Sequence, residues 1–292
     1  MKRMWMATVI LPLAVANAWG QGPTTGQRYT PPRTAGGQPD LTGIWEVVNS
    51  AAWNIEDHSP SLGVPGGFGV VEGGTLPYLP AALAKRKENF ERRATADPEA
   101  SCYLPGVPRS TYLPYPIEIA QFPDMVMIFH EYLTISRQIH LSGQHPDPEV
   151  NEYWMGDSRG RWDGNILVVD VSNFNDRTWF DRAGNFHSDA LHVIERFTPT
   201  DRDHLSYDVT VEDPKVFSRP WKMSMPLYRR QEKNFRLLEY ECYSYMEEEA
   251  RKGNLKLPWT HFGFEGTPEK RRLFSCIRGI RCRIEILDYC RR

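Results

Sequence analysis

The chain has 292 residues, a formal net charge of −2 and 25% charged residues, values that are ordinary for a globular protein with a sizeable core. This near-neutral balance lacks the strong basic excess of nucleic-acid-binding proteins and of proteins that bind anionic membranes. With 23 Pro and 22 Gly, the sequence predicts many turns and few long helices.

Residues 1–20 have the three parts of a secretory signal peptide. Lys2 and Arg3 form a basic start, an apolar run follows, and Ala16-Asn17-Ala18 is an A-x-A-like cleavage site. The apolar run is too short for a comfortable membrane span. We therefore expect a periplasmic or extracellular protein without a membrane span, in which residues 21–39 form a flexible linker rich in Pro, Gly and Thr.

The N-terminal part of the fold begins with "DLTGIWEVV", which predicts an opening strand after a turn. Residues 59–79 are rich in Gly and Pro and predict a long loop. The segment "PAALAKRKENFERRA" predicts one helix near 80–94, with Pro at its first turn.

From Ile117 onward, short segments rich in β-branched and aromatic residues alternate with turn signals. They are "IEIAQF", "MVMIFHEY", "TISRQIHL", "EYWMGDSRGRW", "NILVVDV", "ALHVIERFT", "HLSYDVTVED", "KMSMPLYRR" and "FRLLEYECY". The pattern predicts an all-β fold: an antiparallel meander that closes as a lipocalin-like (calycin-type) barrel, with one N-terminal helix and long Pro/Gly-rich loops. The barrel domain is expected to span residues 40–243, and residues 244–292 form a C-terminal extension.

Two of the five cysteines are candidates for a disulfide in an oxidising compartment. Cys102 lies in a Pro-rich loop and Cys242 ends a strand-like segment, so we expect them to pair. The other three lie in the Arg-rich tail, residues 271–292. The chain has no C-x-x-C motif, which argues against a zinc ribbon or a thioredoxin-type site.

The segment "GDSRG" has the outline of the nucleophile elbow of serine hydrolases, with Ser158 as the nucleophile. An elbow requires a helix after the serine, whereas "WDGN" predicts a hairpin turn and a second strand. We therefore place Ser158 in a strand. Trp154, Ser158 and Trp162 then share one strand face and are predicted to line a binding pocket.

Arg137 and Glu195 are both expected on apolar strand faces. A charge in such a position is costly unless it is paired, so the sequence predicts an Arg137–Glu195 pair inside the barrel. One interpretation is a structural ion pair. The other is an active site, in which Glu195 acts as acid or base and Arg137 stabilises an anionic oxygen.

Histidines cluster in the middle of the chain, and three of them are candidates for function. His187 or His145 could relay a proton, and His192, on the strand face opposite Glu195, is a candidate ligand-binding residue. No compact metal-binding signature is present, and we expect neither a metal nor another cofactor. A weaker alternative remains open, in which His187 and Asp189 bind a metal together with His192 or His145.

The connection "FNDRTWFDRAGNFHSD" is polar and aromatic, and loops at a barrel mouth often carry binding residues. Asn175, Asp176 and Trp179 are therefore candidate ligand-binding residues. The alternative is that Asn175 and Asp176 only form turns.

Several long motifs of the chain together resemble a large family of secreted bacterial proteins of unassigned function. These motifs are "QPDLTGIWE", "CYLPGVPR", "WMGDSRGRWDGNILVVD", "FNDRTWFDRAG", "HSDALHVIERF", "VTVEDPKVFSRPW" and "LLEYEC", and they cover roughly residues 38–243. The resemblance implies a signal peptide and a β-barrel core, and it carries over no catalytic residues. The chain departs from the family at Ser142-Gly143-Gln144, where the family usually has a "DGR"-type turn.

The sequence therefore predicts a secreted barrel that binds an apolar or aromatic small molecule. The sharper version adds lyase, isomerase or hydratase chemistry by acid–base catalysis without a cofactor. Two alternatives remain open: a non-catalytic periplasmic binding protein, and a metal-dependent hydrolase. Neither a nucleic-acid partner nor a particular oligomeric state is predicted.

Overall fold

The computed structural model describes residues 29–61 and 63–253. The predicted signal peptide, the start of the predicted linker and the Arg-rich tail lie outside these described residues. None of the helices within the described ranges has the length and apolarity that a membrane crossing requires.

Nine strands form a closed barrel in which strand order follows chain order, so the predicted all-β barrel is confirmed. The first strand closes the barrel by pairing with both the second and the ninth. The strands are β1 (Gly43–Glu46), β2 (Ile117–Gln121), β3 (Met125–His130), β4 (Ser136–His140), β5 (Asp157–Asp163), β6 (Ile166–Ser172), β7 (His192–Pro199), β8 (His204–Glu212) and β9 (Trp221–Arg229).

The barrel interior is packed with side chains from alternate strand positions. On β8, for example, Leu205, Tyr207, Val209 and Val211 are buried while the residues between them are partly exposed. This alternation has the period of two that a half-buried strand requires. The inward residues of all nine strands contribute to one continuous core. A packed interior of this kind is typical of small barrels.

One pair of strands departs from the predicted antiparallel meander, because β4 and β5 are parallel. Parallel neighbours need a crossover connection rather than a hairpin, and residues 141–156 provide it. On β5, Gly160 allows close packing here, since a Cβ atom at this position would lie 2.7 Å from Ile139 Cγ2.

The predicted hairpin after Ser158 is present between β5 and β6, but its turn is centred on Gly164 and Asn165. Gly164 has a φ of +61°, which a two-residue turn with Gly in its first central position requires. The strand begins at Asp157, so Trp154 precedes it and does not share its inner face. The prediction that Trp154 lines the barrel wall is therefore wrong.

In the described ranges, the predicted helix near 80–94 extends over α1 (Pro80–Ala96), and two further α-helices are α2 (Arg109–Tyr112) and α3 (Cys242–Arg251). The first and last of these helices and an N-terminal loop lie outside the barrel. Residues 29–39, predicted as part of a flexible linker, form a loop in which Arg33 donates a 2.8 Å hydrogen bond to Asn165. Every residue of α2 is buried, and Thr111 approaches the Tyr207 hydroxyl inside the barrel.

The segment "FRLLEYECY", predicted as a last strand, is not a strand of the barrel. It leads into α3, and Tyr240 only forms an isolated bridge with Tyr132. Cys242, at the start of α3, forms a disulfide with Cys102, the predicted pairing. The bond links the end of the described chain covalently to the loop between α1 and α2. The two Cα atoms lie 5.7 Å apart.

Candidate functional site

The predicted Arg137–Glu195 pair is present inside the barrel. Arg137 Nη1 lies 3.1 Å from Glu195 Oε1, and Nη2 donates to Oε2. Both side chains are buried. They meet because β4 and β7 each direct a charged residue inward from an otherwise apolar face.

The remaining polar atoms of this pair have partners of their own. Ser158 Oγ accepts hydrogen bonds from Arg137 Nε at 3.1 Å and from Nη2 at 3.0 Å. Tyr207 donates a 2.6 Å hydrogen bond to Glu195 Oε1. Burial and then the charge of Glu195 raise the pKa of the Tyr207 hydroxyl well above its usual value. Ser158 thus anchors a guanidinium inside the barrel, and neither a nucleophile nor a ligand wall is formed there.

Glu195 is consequently an unsuitable acid or base in this structure. It is fully buried, and both of its oxygens already accept hydrogen bonds from Arg137 or Tyr207. A general base must reach a substrate proton directly or through one water molecule. The geometry matches the structural interpretation of the pair, and it does not match the catalytic roles predicted for Glu195 and Arg137.

His130 is a buried neighbour of Arg137 that the sequence reasoning missed. It ends β3 on the inner face, and no side chain in the described part of the chain hydrogen-bonds to either ring nitrogen. Burial, with the nearby charge of Arg137, lowers the pKa of His130 to about 3. The alternation in "MVMIFH" could have revealed it, since His130 shares a face with Val126 and Ile128.

His187 is a satisfied core histidine and not a proton relay. Its Nδ1 lies 2.8 Å from the Ser188 carbonyl oxygen, which can only accept, so Nδ1 carries the proton. Its Nε2 therefore accepts from the Thr178 hydroxyl at 2.6 Å. Burial lowers the pKa of His187, which keeps the ring neutral. The relay role predicted for His187 is not supported.

The weak metal alternative based on His187 is wrong, because its members do not face a common point. Asp189 pairs with Lys215 at the surface, with 2.6 Å between Oδ1 and Nζ. His192 instead points to Asp170. His187 Nε2 is already occupied by Thr178.

His145 and His192 do come together, on the outer face of the barrel. His145 Nδ1 lies 2.6 Å from Asp157 Oδ2, and its Nε2 lies 3.2 Å from Asp170 Oδ1. His192 Nε2 lies 2.9 Å from that same oxygen of Asp170, and its Nδ1 lies 3.6 Å from Glu212 Oε2. We call these five residues the histidine–carboxylate chain. It crosses β5, β6, β7 and β8 and fixes the crossover loop through His145.

The remaining predicted pocket residues are dispersed. Trp154 stacks on Tyr103 outside the barrel, with ring centroids 5.1 Å apart, and Trp162 packs against the core. Asn175 and Trp179 are buried, and Asn175 Oδ1 accepts from the Arg177 backbone N–H as a turn former does. Asp176 is exposed. The structure brings none of these residues together as one binding surface.

A cleft of about 750 Å³ lies outside the barrel, between α1 and the loop that contains residues 53–64. Its volume falls in the range of small-molecule sites. Sequence reasoning missed it, because its walls come from segments far apart in the chain. Side chains that line it include Trp53, His58, Arg86, Phe90, Arg93 and Arg182.

Three arginines of the cleft, Arg86 among them, lie against aromatic rings. Arg182 Cζ is 5.2 Å from the centre of the Trp53 ring, and Arg93 Cζ is 4.0 Å from that of Phe90. Such contacts hold a guanidinium flat on a ring and leave apolar and cationic surface side by side. Spacing on α1 explains the second contact, since Phe90 and Arg93 are three residues apart on one helix face.

Buried carboxylates fix the floor of the cleft. Glu99 accepts hydrogen bonds from Arg182 at 2.6 and 2.7 Å and from Arg109 at 2.8 Å. Burial alone raises the pKa of Glu99, but the hydrogen bonds from Arg182 and the charge of Arg109 lower it below its usual value. Asp97 accepts two further hydrogen bonds from Arg109. Arg182 is thereby held in a fixed position.

Hydrogen bonds of Asp181 and Asn185 connect the two walls of the cleft, which are α1 and the loop that contains residues 53–64. Asp181 accepts from the backbone N–H of Ile55 at 2.9 Å and from Asn185 Nδ2 at 2.6 Å. Asn185 Oδ1 accepts from Tyr78 and from Arg86, which belongs to α1. Burial raises the pKa of Asp181 to about 6. The cleft is thus a preformed feature held by buried hydrogen bonds.

Replacing Asn185 with alanine is expected to lower the free energy of unfolding by about 1–3 kcal/mol, since buried donors and acceptors lose their partner. Urea unfolding measures this loss. Asn165→Ala is the matched control, because among the described residues the Asn165 side chain accepts one hydrogen bond, from Arg33 at the surface. Equal stabilities of the two variants would show that Asn185 does not hold the cleft.

No protein-family model matches the chain, and no curated protein sequence does. Among solved structures, the chain is similar to the crystal structure of a mutant of the fluorescent protein UnaG, with a TM-score of 0.30 and 12% identity. The match covers 66% of this chain and 97% of that one.

Proposed function

We propose that this chain is a secreted protein that binds a planar aromatic small molecule in the cleft beside α1. The observation that carries the proposal is the cleft itself, with a volume of about 750 Å³ and aromatic rings on both walls. Ligand sites of this size are mostly apolar, with a few placed polar groups. Trp53 and Phe90 supply the rings here, and Arg182 and Arg93 supply the polar groups.

The cleft lining carries three arginines and three carboxylates, and Arg93 is the position that favours an acidic substituent on the ligand. Arg182 is neutralised by Glu99, and Arg86 lies 3.6 Å from Glu56. Arg93 has no carboxylate within 4 Å among the described residues, and its guanidinium lies on the Phe90 ring. An aromatic anion could therefore stack against a ring and place its negative group near Arg93.

The barrel interior is a poorer candidate for the ligand. Its centre is filled by the Arg137–Glu195 pair and by side chains of the continuous core. A ligand would have to displace packed residues and break a buried ion pair, which is costly. We therefore propose ligand binding in the cleft and do not propose acid–base catalysis at Glu195.

Secretion forms part of the proposal and rests on two features. The first is the basic, apolar and A-x-A-like pattern of residues 1–20, together with the resemblance to secreted bacterial proteins. The second is the Cys102–Cys242 disulfide, which suits an oxidising compartment. N-terminal sequencing of the exported protein should begin after Ala18. A mature protein that retains Met1 would contradict the secretion proposal.

Binding can be tested with 1-anilinonaphthalene-8-sulfonate, an aromatic anion whose fluorescence rises in apolar sites. We expect saturable binding of one probe per chain, and Trp53→Ala is expected to weaken it about tenfold or more, because about 1.4 kcal/mol of stacking is lost. Fluorescence titration measures both. Trp154→Ala is the matched control, since Trp154 is also partly exposed and stacked but does not line the cleft.

Two outcomes would count against the cleft. One is unsaturable probe binding, and the other is equal weakening by Trp53→Ala and Trp154→Ala. Circular dichroism and the thermal midpoint of each variant separate lost binding from lost folding.

A further inference from the structure

The histidine–carboxylate chain contains two imidazoles that point at one atom. His145 Nε2 and His192 Nε2 lie 3.2 and 2.9 Å from the same oxygen, Asp170 Oδ1. The other nitrogen of each ring also faces a carboxylate, Asp157 for His145 and Glu212 for His192. Both nitrogens of His145 therefore lie within hydrogen-bond distance of acceptors, whereas Nδ1 of His192 lies 3.6 Å from Glu212 Oε2.

At His145 a neutral imidazole cannot satisfy both acceptors, because it carries a proton on only one nitrogen. If Nδ1 of His145 donates to Asp157, its Nε2 presents a lone pair to the Asp170 carboxylate. A neutral His192 meets no such conflict, because a proton on its Nε2 can be donated to Asp170. Asp170 Oδ1 thus faces two imidazole nitrogens, and a neutral His145 presents a lone pair to it that a bound cation could accept.

The net charge of the cluster also favours a bound cation. Three carboxylates, on Asp157, Asp170 and Glu212, face a single guanidinium, that of Arg159, which lies 2.7 Å from Asp157. With both imidazoles neutral, the cluster carries a net charge of −2. One divalent cation would balance it.

We propose that this cluster binds one divalent transition-metal ion of the zinc class through His145 Nε2, His192 Nε2 and the Asp170 carboxylate. Imidazole nitrogens suit Zn²⁺, Cu²⁺ and Ni²⁺ better than Ca²⁺ or Mg²⁺. Asp157 and Glu212 then act as positioning residues that accept the Nδ1 protons. Metal-binding histidines usually have such a carboxylate or carbonyl partner behind them.

The site needs a local rearrangement to form. No group of three or more His, Cys, Asp or Glu side chains in the described part of the chain is already arranged as a metal-ion site. Asp170 Oδ1 stands where the two Nε2 atoms point, and its side chain is 45% exposed, so rotation of its carboxylate can open that position. Because the cluster lies at the surface, solvent can complete the coordination.

The test is calorimetric titration of the chelator-treated full chain with ZnCl₂ at neutral pH. Cys276, Cys282 and Cys290 are changed to serine throughout, so that thiolates of the tail cannot bind the metal. We expect one Zn²⁺ per chain, and a thermal midpoint that rises with zinc concentration. Side-chain ¹H–¹⁵N spectra should show that zinc shifts Nε2 of both His145 and His192.

Variants identify the ligands and the positioning residues. His145→Ala or His192→Ala should abolish binding, and Glu212→Gln should weaken it about 10–100-fold, which is the usual cost of losing such a partner. His204→Ala is the matched control, because His204 is partly exposed and pairs with one carboxylate, Asp201. It should leave zinc affinity unchanged.

Three results would overturn the proposal: no saturable zinc binding, binding that survives loss of both His145 and His192, or rings that stay protonated on both nitrogens in excess zinc. The last result would identify the cluster as two imidazolium ions bridging carboxylates. None of these outcomes bears on the cleft, which shares no lining residue with the cluster.

Discussion

Replacing Arg137 with methionine is expected to lower the free energy of unfolding by about 3–5 kcal/mol, which is the usual cost of breaking a buried ion pair from one side. The variant leaves the fully buried Glu195 without its guanidinium and leaves Ser158 without its two donors. Chemical denaturation at pH 7 measures the loss.

The double variant Arg137→Met, Glu195→Leu distinguishes the effect of an unpaired buried charge from the effect of changed side-chain packing. Removing both charges leaves no buried ion unpaired, so we expect it to recover most of the lost stability. Arg161→Met is the matched surface control, since Arg161 is exposed on β5, and it should change stability by less than about 0.5 kcal/mol. If the single and double variants were equally unstable, the ion pair would not explain the effect.

Acid should destabilise this protein through His130. Its pKa is about 3 in the folded state, against a usual value of 6.5, so below pH 6.5 the unfolded state binds a proton that the folded state does not. Between pH 7 and pH 4 the stability lost through this residue is about 3 kcal/mol, because one pKa unit corresponds to about 1.4 kcal/mol. We expect His130→Leu to gain about 3 kcal/mol relative to the wild type over that interval.

Asp181 provides a comparison of opposite sign. Its pKa is about 6 in the folded state, against a usual value of 3.8, so between pH 6 and 3.8 the folded state binds the extra proton and gains stability. Asp181→Asn should therefore lose stability relative to the wild type on acidification. Unfolding curves at pH 7 and pH 4 measure both differences. A pH-independent effect of His130→Leu would contradict the buried, neutral state of His130.

The barrel and the ion pair were predictable because both depend on local patterns. Alternation with a period of two marks each inward face, and a charge on such a face requires a partner. Arg137 and Glu195 were the charged residues that broke this pattern in two strands. The Cys102–Cys242 pairing followed from the compartment and from the position of each cysteine in the chain.

The parallel β4–β5 pair was not predictable from local patterns, because strand direction depends on the connection between strands. Residues 141–156 have the composition of a loop whether they form a hairpin or a crossover. Trp154 is a separate case. The composition of "EYWMGDSRGRW" predicts a strand that includes Trp154, whereas β5 begins only at Asp157.

The two candidate sites depend on long-range register. His145 and His192 are far apart in sequence and meet only because β5, β6 and β7 are neighbours with Asp170 between them. The cleft joins α1 to residues 53–64 and to Arg182, and nothing in the separate segments indicates that they meet. Their contact is set by Asp181 and Asn185, which the sequence shows only as polar loop residues.

The central claim is that the ligand occupies the cleft beside α1 and not the barrel interior. A crystal structure with bound 1-anilinonaphthalene-8-sulfonate tests it most directly. We expect the probe between Trp53 and Phe90, with its sulfonate near Arg93 and with the Arg137–Glu195 pair intact. Electron density for the probe inside the barrel, with that pair separated, would contradict the claim.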